Sequence, residues 1–175
     1  MIRRLVLASS IALLVVAPMT APAVSAGGGK LAIGDSVMRG AEPQLRNRGF
    51  RVDATVSRQF SEGVTLVRRL RDSGDLPNRV VVHLGNNGYL TMEQCTALVR
   101  AAGDRSLWLV NTRVPREWRA GNNERLARCA GRYDNVRLID WYGYSSGHGE
   151  WFRDDGYHLT SRGATRYAAY LDRFV

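Results

Sequence analysis

The sequence predicts an α/β fold, a three-layer α/β/α sandwich about a five-stranded parallel sheet. Two observations carry this expectation. From residue 30 onward the chain alternates short apolar runs with helix-period segments, separated by turns rich in Gly, Asn or Ser. The apolar runs RVVVHL and SLWLV are also continuous and not alternating, as strands covered by helices on both faces require.

The first strand is expected over 30–33 and is followed by a helix over 37–48. A second strand, 51–56, leads to a helix over 63–72, in which Val64, Val67, Leu70 and Leu76 recur on one side and Arg68, Arg69 and Arg71 face water. The remaining pairs are strand 79–84 with helix 91–102, strand 107–110 with helix 122–132, and strand 136–140 with helix 161–175. Right-handed crossovers between parallel strands collect functional groups at the carboxyl ends of the strands. The polar residues that qualify are Ser36, the segment 57–59, Asn86, Asn87, Asn111 with Arg113, and the segment after Asp140.

Residues 1–26 carry two arginines, an apolar run over 5–16 and a small-residue patch ending Val24-Ser25-Ala26, the order of a secretory signal peptide. The run is shorter than the roughly 20 residues that span a bilayer. The alternative is an uncleaved anchor. Residues 27–175 then form a single domain with its own core and no integral membrane span, secreted or associated with the cell wall.

The formal charge is +9, and removing Arg3 and Arg4 leaves 23 basic against 16 acidic residues, or +7. Lys30 is the only lysine. This balance favours anionic surroundings, which for an exported protein are cell-wall polymers or lipid headgroups; the plainer alternative is a solvated arginine-rich surface. No basic stripe with interleaved aromatics points to nucleic acid. Cys95 and Cys129 form either a disulfide, favoured by export, or a pair of buried thiols.

Ser36 follows the first strand in AIGDSVMRG. By itself it reads as a helix cap as readily as a nucleophile, which needs a general base and oxyanion donors. Of the three histidines, His83 lies inside a buried strand and reads as a core residue, and His148 lies in an exposed glycine-rich loop. His158, in FRDDGYHLTSRG, stands three residues after Asp155, a spacing that lets the carboxylate hold one imidazole nitrogen and leaves the other for a serine. The turn GNNG, residues 85–88, places amide side chains after the third strand. Asp35 reads as a turn-holding residue. Asp140-Trp141 and Trp151-Phe152 either line a site or pack. No metal-ligand spacing and no phosphate-cradling loop is present in the sequence.

GDSVM, GNNG and DGYHLT, in that order, resemble the conserved blocks of the SGNH hydrolase superfamily, also called GDSL-like. The likeness covers residues 30–175 and implies a flavodoxin-like fold. It implies Ser36 as nucleophile, His158 as base and Asp155 as its orienter, with the Ser36 N–H and the Asn87 side chain as oxyanion donors. The third block usually ends in aspartate, where this chain has Gly88. The second block usually supplies a glycine amide after strand two, and here the Arg58 amide is expected in that role. DSVM, VDATVSRQ, NTRVPREW and DGYHLTSRGA are most similar to the extracellular SGNH domain of membrane O-acyltransferases, such as those acetylating peptidoglycan.

The resemblance implies a secreted serine esterase acting on a small acyl ester or an O-acetylated glycan, with no cofactor and no metal. Two alternatives remain at this point. One is an O-acetyltransferase that passes the acetyl group from Ser36 to a cell-wall glycan hydroxyl. The other is a non-catalytic cell-wall binding module on the same fold.

Overall fold

A computed structural model describes residues 29–175; the expected signal peptide, residues 1–26, and the expected mature start at Gly27 lie outside the described residues. Five parallel strands form one sheet: β1 (Lys30–Gly34), β2 (Phe50–Ala54), β3 (Arg79–His83), β4 (Ser106–Val110) and β5 (Val136–Ile139). Their order is β2-β1-β3-β4-β5. β1 lies between β2 and β3, with Lys30 in register with Phe50 on one side and Arg79 on the other. The chain therefore reverses its direction of winding at β1, and the carboxyl ends of β1 and β3 flank the switch point where such sheets place their ligands.

Side chains alternate between the faces of each strand. Leu31, Ile33, Val80 and Val82 enter one core, with residues of α3 (Phe60–Asp72), α4 (Met92–Ala102) and α5 (Trp118–Ala130). Ala32 and Val81 enter the other, with residues of α1 (Ser36–Arg39), α2 (Glu42–Arg46), α6 (Trp141–Tyr144) and α7 (Ser161–Asp172). Burial on both faces is why these strands read as continuous apolar runs.

The helix expected over 37–48 is broken into α1 and α2. Pro43 sits in the first turn of α2, where its missing N–H costs nothing; inside a continuous helix its ring would meet the Arg39 carbonyl one turn earlier. α3 begins at Phe60, before the expected start, because Gln59 and Glu62 form a capping box there. Leu76 lies beyond the end of α3, yet it is buried in the same core. α5 begins at Trp118, four residues ahead of the expected start at 122.

Cys95 on α4 and Cys129 on α5 form a disulfide with Cα atoms 6.4 Å apart, which decides between bridge and free thiols. Trp141, Trp151 and Phe152 are buried and pack together with Tyr167, whose ring meets Trp141 edge-on at 5.0 Å. Their role is packing. No helix among the described residues is long and apolar enough to cross a membrane.

Candidate active site

β1 ends at Gly34, and the next residue caps α1: the Asp35 carboxylate accepts the Val37 N–H at 3.0 Å. The capping role that the sequence allowed for Ser36 thus falls to Asp35. Ser36 becomes the first helical residue, with its hydroxyl free for other work and its N–H without an intrahelical acceptor. Gly34 allows this sharp turn, since a Cβ there would lie 2.4 Å from Cβ of Met38.

His158 reaches Ser36 from a loop 122 positions away, with Nε2 2.9 Å from the Ser36 Oγ. Its Nδ1 lies 2.7 Å from the Asp155 carboxylate. The other oxygen of Asp155 accepts the backbone N–H groups of Tyr157 and His158 at 3.1 and 2.9 Å. Burial alone would raise the Asp155 pKa, but these hydrogen bonds outweigh it and hold the carboxyl below its ordinary value. The loop is closed by the pairing of Phe152 with Leu159 and by the Arg153 N–H donating to the His158 carbonyl at 2.8 Å. Gly156 takes a left-handed φ of 77° at its tip. Behind it α7 packs so closely that a Cβ on Gly163 would fall 1.9 Å from the Trp151 carbonyl oxygen.

The turn after β3 is tied to the same place. Asn86 is buried and donates its side-chain N–H to Asp35 Oδ2 at 2.9 Å. Asn87 is half-buried, and its side-chain amide reaches the Arg58 carbonyl at 3.4 Å. Asn87 and Arg58 meet in a tight depression of their own, while a separate cavity of about 360 Å³ is lined by Ser36 and His158. Asn122, which sequence reasoning missed, holds the turn from α5. Its amide donates to the carbonyls of Gly85 and Gly88 at 3.0 and 2.8 Å, and its oxygen accepts the Leu90 N–H at 3.0 Å. The available signal was a pair of adjacent asparagines inside an arginine-rich helix.

The Arg58 amide, expected as an oxyanion donor, is instead committed to the Thr55 carbonyl at 3.3 Å. Its guanidinium clamps the loop by bonding the Asp53 carboxylate, the Thr55 hydroxyl and the carbonyls of Asp53 and Gly34. The neighbouring Ser57 has a φ of 61°, the only left-handed non-glycine residue among those described. A backbone conformation that favours glycine therefore falls on Ser57 and not on Arg58.

A buried polar chain runs beneath the site. His83 Nδ1 lies 2.8 Å from the Tyr167 hydroxyl, and its Nε2 lies 3.4 Å from the Asn86 amide. Burial drives the His83 pKa down to about 3, so it is a neutral core residue, as the strand position suggested. Burial likewise pushes the Asp35 pKa up to about 6, against the opposing hydrogen bonds from Asn86 and Val37. His148 stacks on Trp151 with ring centroids 3.9 Å apart and faces Glu150, away from this constellation.

This fold is shared with solved acyltransferase and esterase domains, and the arrangement brings Asp155, His158 and Ser36 into one hydrogen-bonded line. The particular likeness is to peptidoglycan O-acetyltransferases. The chain is 38% identical over 143 residues to peptidoglycan O-acetyltransferase OatA of Listeria monocytogenes, covering 81% of this chain and 23% of that protein. It therefore spans less than a quarter of that relative's length. Among solved structures, the C-terminal catalytic domain of Streptococcus pneumoniae OatA superposes with a TM-score of 0.75 at 22% identity, over 84% of this chain and 92% of that one. A family 3 carbohydrate esterase of Clostridium thermocellum shares the fold at a TM-score of 0.60 and 13% identity, over 82% and 93% of the two chains. No protein-family model matches the chain.

Proposed function

We propose that this chain is an exported serine acyl-ester enzyme acting on O-acetylated cell-wall glycan. Ser36 attacks the ester carbonyl while His158 Nε2 takes its proton, and Asp155 holds the imidazole at Nδ1. The tetrahedral oxyanion is held by the Ser36 N–H and the Asn87 side-chain amide, with Ser57 N–H in place of Arg58 as the second-block donor. The sugar alcohol leaves with the proton from His158, and Ser36 keeps the acetyl group. Water, deprotonated by His158, then releases acetate.

The single observation that carries this reading is the unbroken hydrogen-bonded line from Asp155 through His158 to Ser36 Oγ. A binding module has no use for it. A second reading is favoured by the O-acetyltransferase activity for which the similar proteins are named: the acyl group passes from Ser36 to a glycan hydroxyl instead of water. Both share the acyl-enzyme.

The test supplies 4-nitrophenyl acetate with and without cell-wall glycan fragments and quantifies free acetate against acetylated glycan. Ser36→Ala is expected to lose both products by at least about 1,000-fold. Acetate in excess supports hydrolysis, and acetylated glycan supports transfer. Turnover unchanged in Ser36→Ala, or no labelling of Ser36 by a fluorophosphonate, overturns the mechanism.

A further inference from the structure

The cavity beside Ser36 and His158 is also lined by Arg39, Val56, Arg153 and Leu159. Arg39 closes α1, three residues after Ser36, and residues three apart share a helix face. Nucleophile and guanidinium therefore face the same space. Arg39 is exposed, and among the described residues its guanidinium has no carboxylate or carbonyl partner. Some arginines elsewhere are engaged, among them Arg46 with Glu42, Arg48 with Asp172, Arg58 with Asp53 and Arg128 with Glu124, and what sets Arg39 apart is its place beside Ser36. Arg153 donates its Nε to the Leu159 carbonyl at 3.3 Å, and its two terminal nitrogens have no partner among the described residues.

A neutral acetyl ester gives these two cations nothing to bind, because the oxyanion is served by N–H donors. A guanidinium presents a planar fork that matches a carboxylate or phosphate through two parallel hydrogen bonds. Val56, 60% exposed at the same cavity, supplies an apolar wall on which a sugar or polyol carbon skeleton can rest.

We infer that the cavity selects esters whose alcohol portion carries an oxyacid anion, carboxylate or phosphate, near the esterified oxygen. Arg39 is its main reader and Arg153 its second. The inference rests on the acyl-ester reading of Ser36 and adds to it the charge class of the substrate.

The experiment compares kcat/KM of the full chain on three acetyl esters: a monoacetylated uronic acid, monoacetyl glycerol phosphate and neutral monoacetyl glycerol. The expected preference for an anionic ester is about tenfold, shrinking as salt is added. Arg39→Gln brings the ratio of anionic to neutral close to one, and Arg39→Lys retains part of it. The uronate and phosphate arms distinguish the two sources of anion. A wild-type ratio near one, or a ratio that survives Arg39→Gln, overturns the inference. Binding without turnover provides the second readout: glucuronate and glycerol phosphate titrated into Ser36→Ala, followed by NMR, against glucose. Saturable binding of an anion that Arg39→Gln weakens about tenfold supports the inference even when no ester is cleaved, which separates its failure from that of the catalytic reading. Equal shifts with glucose overturn it.

Discussion

His83 and Tyr167, 84 positions apart, share a hydrogen bond of 2.8 Å in a region closed to solvent. The bond ties the end of β3 to the middle of α7, the helix that starts just after the His158 loop. Through Asn86 it continues to Asp35, the residue before Ser36. Removing the hydroxyl in Tyr167→Phe leaves His83 Nδ1 buried without that partner, and a stranded buried group costs about 1–3 kcal/mol. Urea unfolding of the variant should show a loss of that size, and a change within about 0.5 kcal/mol would mean the contact contributes nothing net.

Asp35 governs stability against pH. Its carboxyl is raised by burial from 3.8 to about 6 in the folded protein, so the folded state binds the extra proton. The stabilisation from that proton is complete below the unfolded value and is lost as pH rises through about 6. Its size is roughly 3 kcal/mol at 1.36 kcal/mol per unit. The carboxyls of Asp155 and Asp172 are shifted the other way, and their contribution is lost only as pH falls below the ordinary carboxylate range. The difference in unfolding free energy between wild type and Asp35→Asn should therefore slope between pH 4 and about 6 and flatten above. A difference that is level across that window contradicts the shift.

Asp155→Asn should fold normally, because the side chain lies in an exposed turn. Its amide can donate to His158 Nδ1 and select the tautomer with the proton facing Ser36. On the proposed mechanism kcat for 4-nitrophenyl acetate falls by about 100- to 10,000-fold. A variant within threefold of wild type would remove Asp155 from the triad.

The bridge between Cys95 and Cys129 closes a separation of 34 residues and lies in the core shared with α3 and α4, on the sheet face opposite α1. Replacing both cysteines by serine should cost about 3–4 kcal/mol, measured by denaturation. The kcat per folded molecule should stay at the wild-type value. A large fall in kcat with little loss of stability would show that the bridge shapes the site.

Much of the architecture was readable because its signals are local. Each strand is a run of four or five residues, β1 and β3 are apolar on both faces, and α3, α4 and α7 each carry their own cap and apolar spacing. Two misplaced boundaries fell where a cap or a proline overrides the spacing, at Gln59 and Pro43, while α5 begins early at Trp118 with no capping side chain. The partnership of Asp155 and His158 was equally legible, since three residues in a tight turn bring carboxylate and imidazole together with little help from the rest of the chain.

What the sequence by itself determined is the alternation that builds the sheet, the order of the three motif blocks, and this local pair. Tertiary structure decided the rest. It brought His158 to Ser36 across 122 positions, and it gave the cap to Asp35 by aiming one carboxylate at the Val37 N–H. It committed the Arg58 amide to Thr55 and put a left-handed φ on Ser57. It also buried Trp141 and Trp151 where a lining role was equally open. The reason is physical: a backbone dihedral or an indole's burial depends on what packs against it from distant parts of the chain, and residue type at one position carries no record of that neighbour.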